Sequence, residues 1–465
     1  MISSMERGDS LHQEMKRPTI MHKLSQYNQF QPWFDGYYIA YNARSGAVAL
    51  MTADNYSLFT DIARKLQSGD ANFDTEEQKL LTQLKYGSFV VDDDFDEFET
   101  LKFTHQLGRF DSTSLGLTIA PTMACNMACH YCFEENKKGK MSSAVIEAII
   151  SFIEKQARQL KKLEIGWYGG EPLLAMDVIE DLMLSVNDLA AEYKLECGSS
   201  IITNGYLLHR ENVERLSQLK VSSAQVTLDG PARLHDQKRP LKNGKGSFET
   251  ILENLKYAST RIGIGVRVNV DKSFTKETIQ ELLGELADAG LRERVGVYFG
   301  QLEPATTACA NISESCYDTA GFSQIEIEYY RLLLENGFRI DKLPAPAVTF
   351  CMAQNINAFL VDPDGELYRC FNYAGDKKMS MGNIRNEINY QHKNFLHLFR
   401  YDPYADGACR ECNLLPVCVG GCPSRRADRD IPRELLCDNW KHNLAPMLEI
   451  IALSRQQAAA AAKKE

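Results

Sequence analysis

Thirteen cysteines in 465 residues are bunched rather than scattered, and they carry the chain's most specific chemistry. Three form the run Cys125-Asn126-Met127-Ala128-Cys129-His130-Tyr131-Cys132, a CxxxCxxC spacing that puts three thiolates on one loop. Three thiolates can hold three irons of a [4Fe-4S] cube and leave the fourth iron open to an exogenous ligand. Zinc would require a fourth protein ligand or a catalytic water, and His130 falls awkwardly between the cysteines. Seven more crowd the C-terminal part: Cys351 and Cys370, the latter five residues after Gly365, then Cys409, Cys412, Cys418, Cys422 and Cys437. That array suits cluster ligation or a zinc ribbon. An odd number of clustered cysteines without an export signal points to metal chemistry rather than disulfides. Cys197, Cys309 and Cys316 lie outside both arrays and read as small buried hydrophobes, although the last two could also approach a substrate or a cluster.

The elements that must position these residues follow from hydrophobic patterning. Between about 115 and 302, strand-like runs alternate with helical segments: LGLTIA from 115, KLEIGWY from 162, SSIITN from 199, AQVTLD from 224, IGVRVNV from 264 and RVGVYFG from 294. Alternating βα units require right-handed crossovers and a parallel sheet. Six of them predict an α/β core built as a partial (β/α)6 barrel rather than a doubly wound sheet, with working residues at the C-terminal strand ends. Residues 20–110 read as a smaller unit: an aromatic strand pair (WFDGYYIAYN and AVALMT), two helical patterns (NYSLFTDIARKL and TEEQKLLTQLKYG) and a short strand SFVVD. The acidic run from Asp92 to Glu97 reads as a solvated helix start, with attraction of a basic peptide as the alternative. Beyond about 340 apolar periodicity thins as the cysteines thicken, which suits organisation around metal. Residues 1 to about 20 and the last ten, QQAAAAAKKE, predict frayed ends.

Composition removes whole classes of function. Hydrophobic residues at 44% and charged residues at 25% exclude wholesale disorder. A net charge of -10, from 52 basic and 62 acidic residues, gives no field for non-specific nucleic-acid binding. With no apolar run of about 18 residues and no apolar stretch at the N-terminus, the expectation is a cytoplasmic protein without a membrane span.

The CxxxCx-aromatic-C run after the first barrel strand resembles the signature of the radical S-adenosylmethionine (SAM) superfamily, and further landmarks stand in order. Trp167-Tyr168-Gly169-Gly170-Glu171-Pro172 resembles the GGEP motif ending the second strand, which implies that Gly169, Gly170 and Glu171 take the amino end of SAM. Thr203-Asn204-Gly205 follows the third strand and Thr227-Leu228-Asp229-Gly230-Pro231 the fourth. The resemblance implies SAM contacts at Thr203, at Thr227 (ribose or carboxylate) and at Asn269, with Leu302 near the adenine; taken singly, each polar residue equally suits a cap or turn. It also implies that a cluster on Cys125, Cys129 and Cys132 cleaves SAM to methionine and a 5'-deoxyadenosyl radical, which abstracts hydrogen from the substrate.

The C-terminal array resembles the SPASM domain, which implies two auxiliary clusters and three [4Fe-4S] clusters in all. By that resemblance Cys409, Cys412, Cys418 and Cys437 hold the distal cluster, while Cys351, Cys370 and Cys422 supply three ligands to the proximal one. Where some relatives have another cysteine after the first, this chain has Gln354, Asn355 and Asn357, so the fourth ligand is left open: a substrate thiolate on a free iron, or Cys309 or Cys316 closing the site. The implied organisation is leader-peptide recognition over 20–110, the radical SAM barrel over 111–305, a bridging region over 306–345 and the SPASM domain over 346–450. The first unit resembles in pattern the winged-helix element that adds a leader peptide as an extra strand, with a stabilising cap as the alternative. The implied function is installation of a thioether cross-link in a ribosomally made precursor peptide. Carbon-carbon or ether cross-linking and sulfatase-type oxidation to formylglycine are the alternatives. Sulfatase maturases typically place an aspartate base where this chain has Phe371, leaving Asp376 as a relocated base. The partners implied are the precursor peptide and a low-potential electron donor such as a flavodoxin or ferredoxin.

Overall fold

The computed structural model describes residues 21–134, 139–304, 306–427 and 431–462. The N-terminal part runs β1 (His22–Leu24), β2 (Asn28–Pro32), β3 (Tyr38–Asn42), β4 (Ala47–Met51), α1 (Ala53–Ser68), α2 (Thr75–Tyr86), β5 (Val90–Asp92) and α3 (Glu97–Arg109). The aromatic run expected as one strand is broken: Asp35 and Gly36 adopt left-handed backbone at φ 55° and 72°, turning the chain so that an unforeseen strand, β2, pairs with β3. β3 and β4 form the expected hairpin, and β5 pairs with β1 instead. The acidic run is the helix start that its composition predicts, since the Asp96 side chain accepts from Glu99 N and caps α3.

The centre is β6 (Ser114–Ile119), α4 (Ser143–Ala157), β7 (Lys162–Trp167), α5 (Met176–Tyr193), β8 (Glu196–Thr203), α6 (Arg210–Gln218), β9 (Ser223–Thr227), α7 (Ala232–Lys238), α8 (Phe248–Ala258), β10 (Gly263–Val270), α9 (Lys276–Asp288) and β11 (Val295–Gln301). The six strands are parallel and hydrogen-bonded in sequence order from β6 to β11, without the reversal that defines a doubly wound sheet. One face of each strand is fully buried beneath the helices, as with Leu115, Leu117 and Ile119 on β6 and Val266, Val268 and Val270 on β10. The opposite face carries small and polar residues, Gly116, Thr118, Gly166, Gln225, Arg267 and Gly300 among them.

After α10 (Thr319–Glu335) comes an element absent from the sequence reading. β12 (Ala358–Val361) adds in parallel beside β6, and β13 (Leu367–Tyr368) pairs antiparallel with β12, so the cysteine-rich segment extends the central sheet to eight strands. Short helices follow, α11 (Lys393–Phe399), α12 (Gly407–Arg410), α13 (Leu415–Cys418) and α14 (Pro423–Ala427), and then α15 (Trp440–Ala462). α15 packs along α10 and β3 and continues as helix through the alanine tract expected to fray; residues 1–20 and 463–465 lie outside the described residues. The N-terminal part shares the main core through Tyr27, Ile39 and Tyr41, and Tyr41 Oη donates to Pro344 O at 2.6 Å. Among the described residues no helix is long and apolar enough to cross a membrane.

Candidate active site

The first cysteine loop leaves the C-terminal end of β6 and is fixed from two sides. Ala128 N donates to Pro240 O at 2.8 Å and Lys242 N to Asn126 O at 3.0 Å, so residues 240–242 clamp it. From the end of β8, Asn204 Nδ2 donates to Asn126 Oδ1 at 2.7 Å and approaches Cys125 Sγ at 3.8 Å. Burial pushes the thiols of Cys125 and Cys132 up to about 11 and raises Cys129 as well, and the three are close enough to perturb one another. Thiols held that way shed their protons when a cationic group takes the proton's place. The donor set therefore fits a site-differentiated cluster.

The glycine pair presses on this loop. A side chain on Gly169, at φ 125°, would stand 2.3 Å from Thr122 O, and one on Gly170 2.4 Å from Ala124 O. Gly170 N donates to Thr122 O and Glu171 N to Ala124 O, which lashes the end of β7 to the residues before Cys125. Glu171 is fully buried, and its carboxylate accepts from Thr203 Oγ1 at 2.7 Å, Asn204 N at 2.8 Å and Leu173 N at 3.1 Å. Thr203 Oγ1 also accepts from Gly205 N at 3.0 Å. Glu171 and Thr203 thus join the ends of β7 and β8. Thr227 sits buried at the end of β9.

Behind the loop lies a polar network of which the sequence marked only Asn269 as a candidate site residue. Tyr131 Oη hydrogen-bonds the Asp229 carboxylate and Arg239; Arg239 lies 3.5 Å from Asp229, and Asn269 contributes its N–H to Asp229 Oδ1 at 2.8 Å and its amide to Tyr131 Oη at 3.3 Å. Tyr131 and Asp229 stood inside recognised motifs, whereas nothing in the sequence marked Arg239. Leu302 packs with Tyr131, Cys309, Ile312 and Cys316, against Cys129 and Phe133. Cys309 and Cys316 are therefore buried beside the first loop, and Cys197 lies on β8, paired in register with Leu163.

A family model described as the radical SAM superfamily matches residues 119–300, the segment from β6 to β11. The chain carries a radical SAM domain. A domain of this family employs a [4Fe-4S] cluster and SAM, and the protein is accordingly a radical SAM enzyme. Among its relatives, mycofactocin maturase MftC of Mycolicibacterium smegmatis is 26% identical over 71% of this chain and 83% of its own length. The serine-type anaerobic sulfatase-maturating enzyme of Klebsiella aerogenes is 24% identical over 65% of this chain and 77% of its own. In fold, the chain is similar to native anSMEcpe with bound AdoMet (TM-score 0.57, 19% identity, 74% of this chain and 99% of that one). It is similar also to Streptococcus suis SuiB bound to precursor peptide SuiA (TM-score 0.51, 16% identity, 88% and 97%).

Beyond the radical SAM domain the structure gathers the second array into two sets. Cys409, Cys412, Cys418 and Cys437 line one cavity of ≈ 160 Å³, together with Arg426, Arg433 and Lys441. Arg426 Nη2 and Tyr401 Oη each lie 3.9 Å from Cys409 Sγ, and Lys441 Nζ lies 3.9 Å from Cys412 Sγ, so cationic and hydroxyl donors face the thiols. Cys351, Cys370 and Cys422 form the other set, each near enough to the others to act on them electrostatically; burial pushes Cys351 up to about 11 and Cys370 up to about 12. Among the described residues, no group of three or more His, Cys, Asp or Glu is placed to hold a metal ion. Cys409, Cys412, Cys418 and Cys437 instead line the cavity described above, as a polynuclear group requires. Cys351 and Cys370 flank the β12–β13 hairpin, and Ala120 N donates to Val361 O at 2.9 Å, so this hairpin joins the set to the strand that launches the first loop.

Between the two loops stand Tyr168 and Glu134. Tyr168 is buried, meets Phe371 edge-on at 4.8 Å, and is influenced by both Cys132 and Cys370. Burial pushes Glu134 up to about 7 against the opposing effect of the Tyr168 hydroxyl. Phe371 is packing here, and Asp376 is an exposed cap whose carboxylate accepts from Lys378 N at 3.0 Å. Of the neighbours of Cys351, Gln354 is fully buried with Nε2 unpartnered, whereas Asn355 and Asn357 bond backbone groups at 3.0 and 3.1 Å.

Proposed function

We propose that this radical SAM enzyme modifies a ribosomally made precursor peptide, joining a cysteine sulfur to a carbon in an intramolecular thioether. Two curated relatives are named as maturases, and one structure of similar fold holds a precursor peptide. The observation that carries the reading is the pairing of a three-thiol set, Cys351, Cys370 and Cys422, with a separate four-thiol cavity. Four thiols close a cluster, while three leave one iron for a peptide thiolate. With clusters on both sets and a third on Cys125, Cys129 and Cys132, the enzyme holds three; SAM, when bound to the last of these, supplies the deoxyadenosyl radical. The roles of this chain's residues follow from position. Asn204 and residues 240–242 hold the first loop, Glu171 and Thr203 fasten the strand ends beneath it, and Thr227, Asn269 and Leu302 border the space for SAM. The exposed Lys441 at the four-thiol cavity and the exposed Arg410 beside Cys409 suit an acidic, low-potential flavodoxin or ferredoxin.

In the N-terminal unit, β4 is an edge strand with Ala49 and Leu50 exposed, which offers unpaired backbone groups to a leader segment. Co-expression with a short cysteine-containing peptide encoded nearby, followed by mass spectrometry, tests the proposal. A thioether makes the product lighter by two hydrogens per link, and a precursor with the cysteine changed to serine stays unmodified. A link that survives that change assigns carbon-carbon or ether chemistry instead. Anaerobic reconstitution should give near twelve irons per chain, by the estimate of four per cluster. Replacing Cys125, Cys129 and Cys132 by alanine should abolish 5'-deoxyadenosine formation, and continued formation would end the radical reading of that loop.

A further inference from the structure

Arg369, the residue before Cys370, is a buried charge without a counter-charge among the described residues. Its side chain is 1% exposed, and its guanidinium donates only to neutral carbonyls: Nη1 to Ala358 O at 2.6 Å, Nη2 to Ala353 O at 3.0 Å and to Asn355 O at 2.6 Å. Its Nε has no partner, and the rings of Phe395 and Phe359 enclose the group at 4.6 and 5.6 Å. A second buried cation, Arg109, stands close by: it donates to Phe399 O, lies 4.5 Å over the Phe399 ring and also leaves its Nε unpartnered. The ionisable groups that act on Arg369 are Cys351, Tyr390 and Arg109, and on Arg109, Asp402 acts without a hydrogen bond.

A buried cation that finds neither water nor a carboxylate is strongly unfavourable. Arg369 is in that position, with Arg109, whose charge Asp402 offsets in part, adding to the local positive charge, so an anion belongs beside it. Beside Arg369 the group that becomes anionic on binding iron is the Cys351 thiol, and Cys370 is its neighbour in the chain.

We propose that Arg369, backed by Arg109, is a positioning residue that sets the charge balance of the Cys351–Cys370–Cys422 cluster, favouring its reduced form, which carries one more negative charge, and so raising its reduction potential. The inference rests on the auxiliary-cluster reading above and gives that cluster a task. Joining sulfur to carbon removes two hydrogens from the peptide. One leaves as an atom to the deoxyadenosyl radical; the other leaves as a proton to water and one electron, and the electron needs an acceptor poised to take it. Cluster potential responds to net charge and burial near the sulfurs, and Arg369 supplies a fixed charge at that place.

The test is an EPR-monitored redox titration of the reconstituted full-length chain carrying alanine at Cys125, Cys129 and Cys132, so that only auxiliary signals remain. Arg369→Gln should move the midpoint of one cluster to more negative potential and leave the other in place, while Arg369→Lys, which keeps the charge, should stay near the parent. Unchanged midpoints in Arg369→Gln at parental iron content overturn the inference, as does a shift in Arg369→Lys as large as that in Arg369→Gln. Should Arg369→Gln lose its cluster, Arg109→Gln decides: a smaller shift of the same cluster in the same direction supports the charge effect, and no shift overturns it. The underlying reading is judged separately by iron content. If replacing Cys351, Cys370 and Cys422 by alanine removed no iron, that reading would fall and this inference with it.

Discussion

At the residue scale, distances decide what a motif is for. The glycine pair invites the reading that missing side chains let backbone reach SAM, but the space beside Gly170 belongs to the Ala124 and Met123 carbonyls, at 2.4 and 2.6 Å from where a Cβ would sit. Gly170→Val should therefore push away the residues that launch Cys125. On the proposal of three clusters, the expected result is loss of about a third of the iron together with SAM binding. Parental iron with weakened SAM affinity would place the glycine against SAM itself. His235 gives a second residue-scale test. Burial and the Arg239 charge hold its imidazole well below 6.5, so it is neutral in the fold, with Nδ1 accepting from Asp229 N at 3.1 Å and Nε2 facing Ser247 Oγ at 3.0 Å. Unfolded, it takes a proton near 6.5. Because the folded value is the lower one, the unfolded chain binds more protons below about 6.5; stability is complete above that pH and declines as pH falls towards the folded value. His235→Gln should cost about 1–3 kcal/mol at pH near 8 through lost contacts, yet lose less stability than the parent between there and pH about 6. Urea unfolding at the two pH values reads the difference, and parallel losses in both proteins would remove His235 as the sensor.

At the scale of elements, legibility followed length. The six barrel strands are five to eight residues long and sit in long apolar runs between helices, so periodicity found each of them. β1, β12 and β13 have three, four and two residues, too few to show a period, and β2 is polar apart from Phe30 and ends in proline. The cost of missing β12 was functional, since that strand brings Cys351 and Cys370 to the edge of the barrel beside the first loop. The first cysteine loop and the Cys409 to Cys422 run show in the sequence as local spacings, whereas the grouping of Cys351 and Cys370 with Cys422 rests on the resemblance alone. Arg239, Arg109 and Arg369 were invisible, because a buried arginine looks like any other until its surroundings are known. The elements also change how leader binding should be tested. Excising the first hundred or so residues would uncover Tyr27, Ile39 and Tyr41, which belong to the main core, and would break the Tyr41 bond to Pro344. Leu50→Asp on the exposed face of β4 is the cleaner change. It should raise KM for the full-length precursor several-fold, by the order of magnitude of one lost interface contact, and leave peptide-independent SAM cleavage at the parental rate. An unchanged KM would move leader recognition off this edge.

At the scale of the whole molecule, the sign of the charge is divided. The chain carries a net charge of -10, yet exposed Lys441 borders the four-thiol cavity and Arg410 is exposed beside Cys409 with its guanidinium over Phe98, whereas the Arg426 side chain is buried and Arg433 is paired with Asp406. An acidic electron carrier is repelled by the molecule at long range and drawn to this patch at short range, so electrostatics here choose a docking face more than they raise overall affinity. Electrons entering there would reach the distal set first. Reversing Arg410 to glutamate should therefore slow reduction by an acidic flavodoxin or ferredoxin several-fold at low salt, by the steering magnitudes expected of rim charges, while a small chemical reductant still supports parental turnover. The deficit should shrink as salt rises, because the screening length falls from about 10 Å at 0.1 M to about 3 Å at 1 M. Stopped-flow reduction across that range measures both effects. A deficit that persisted undiminished at high salt would mean that the substitution had altered the cluster itself, and no deficit at low salt would place the donor on another face.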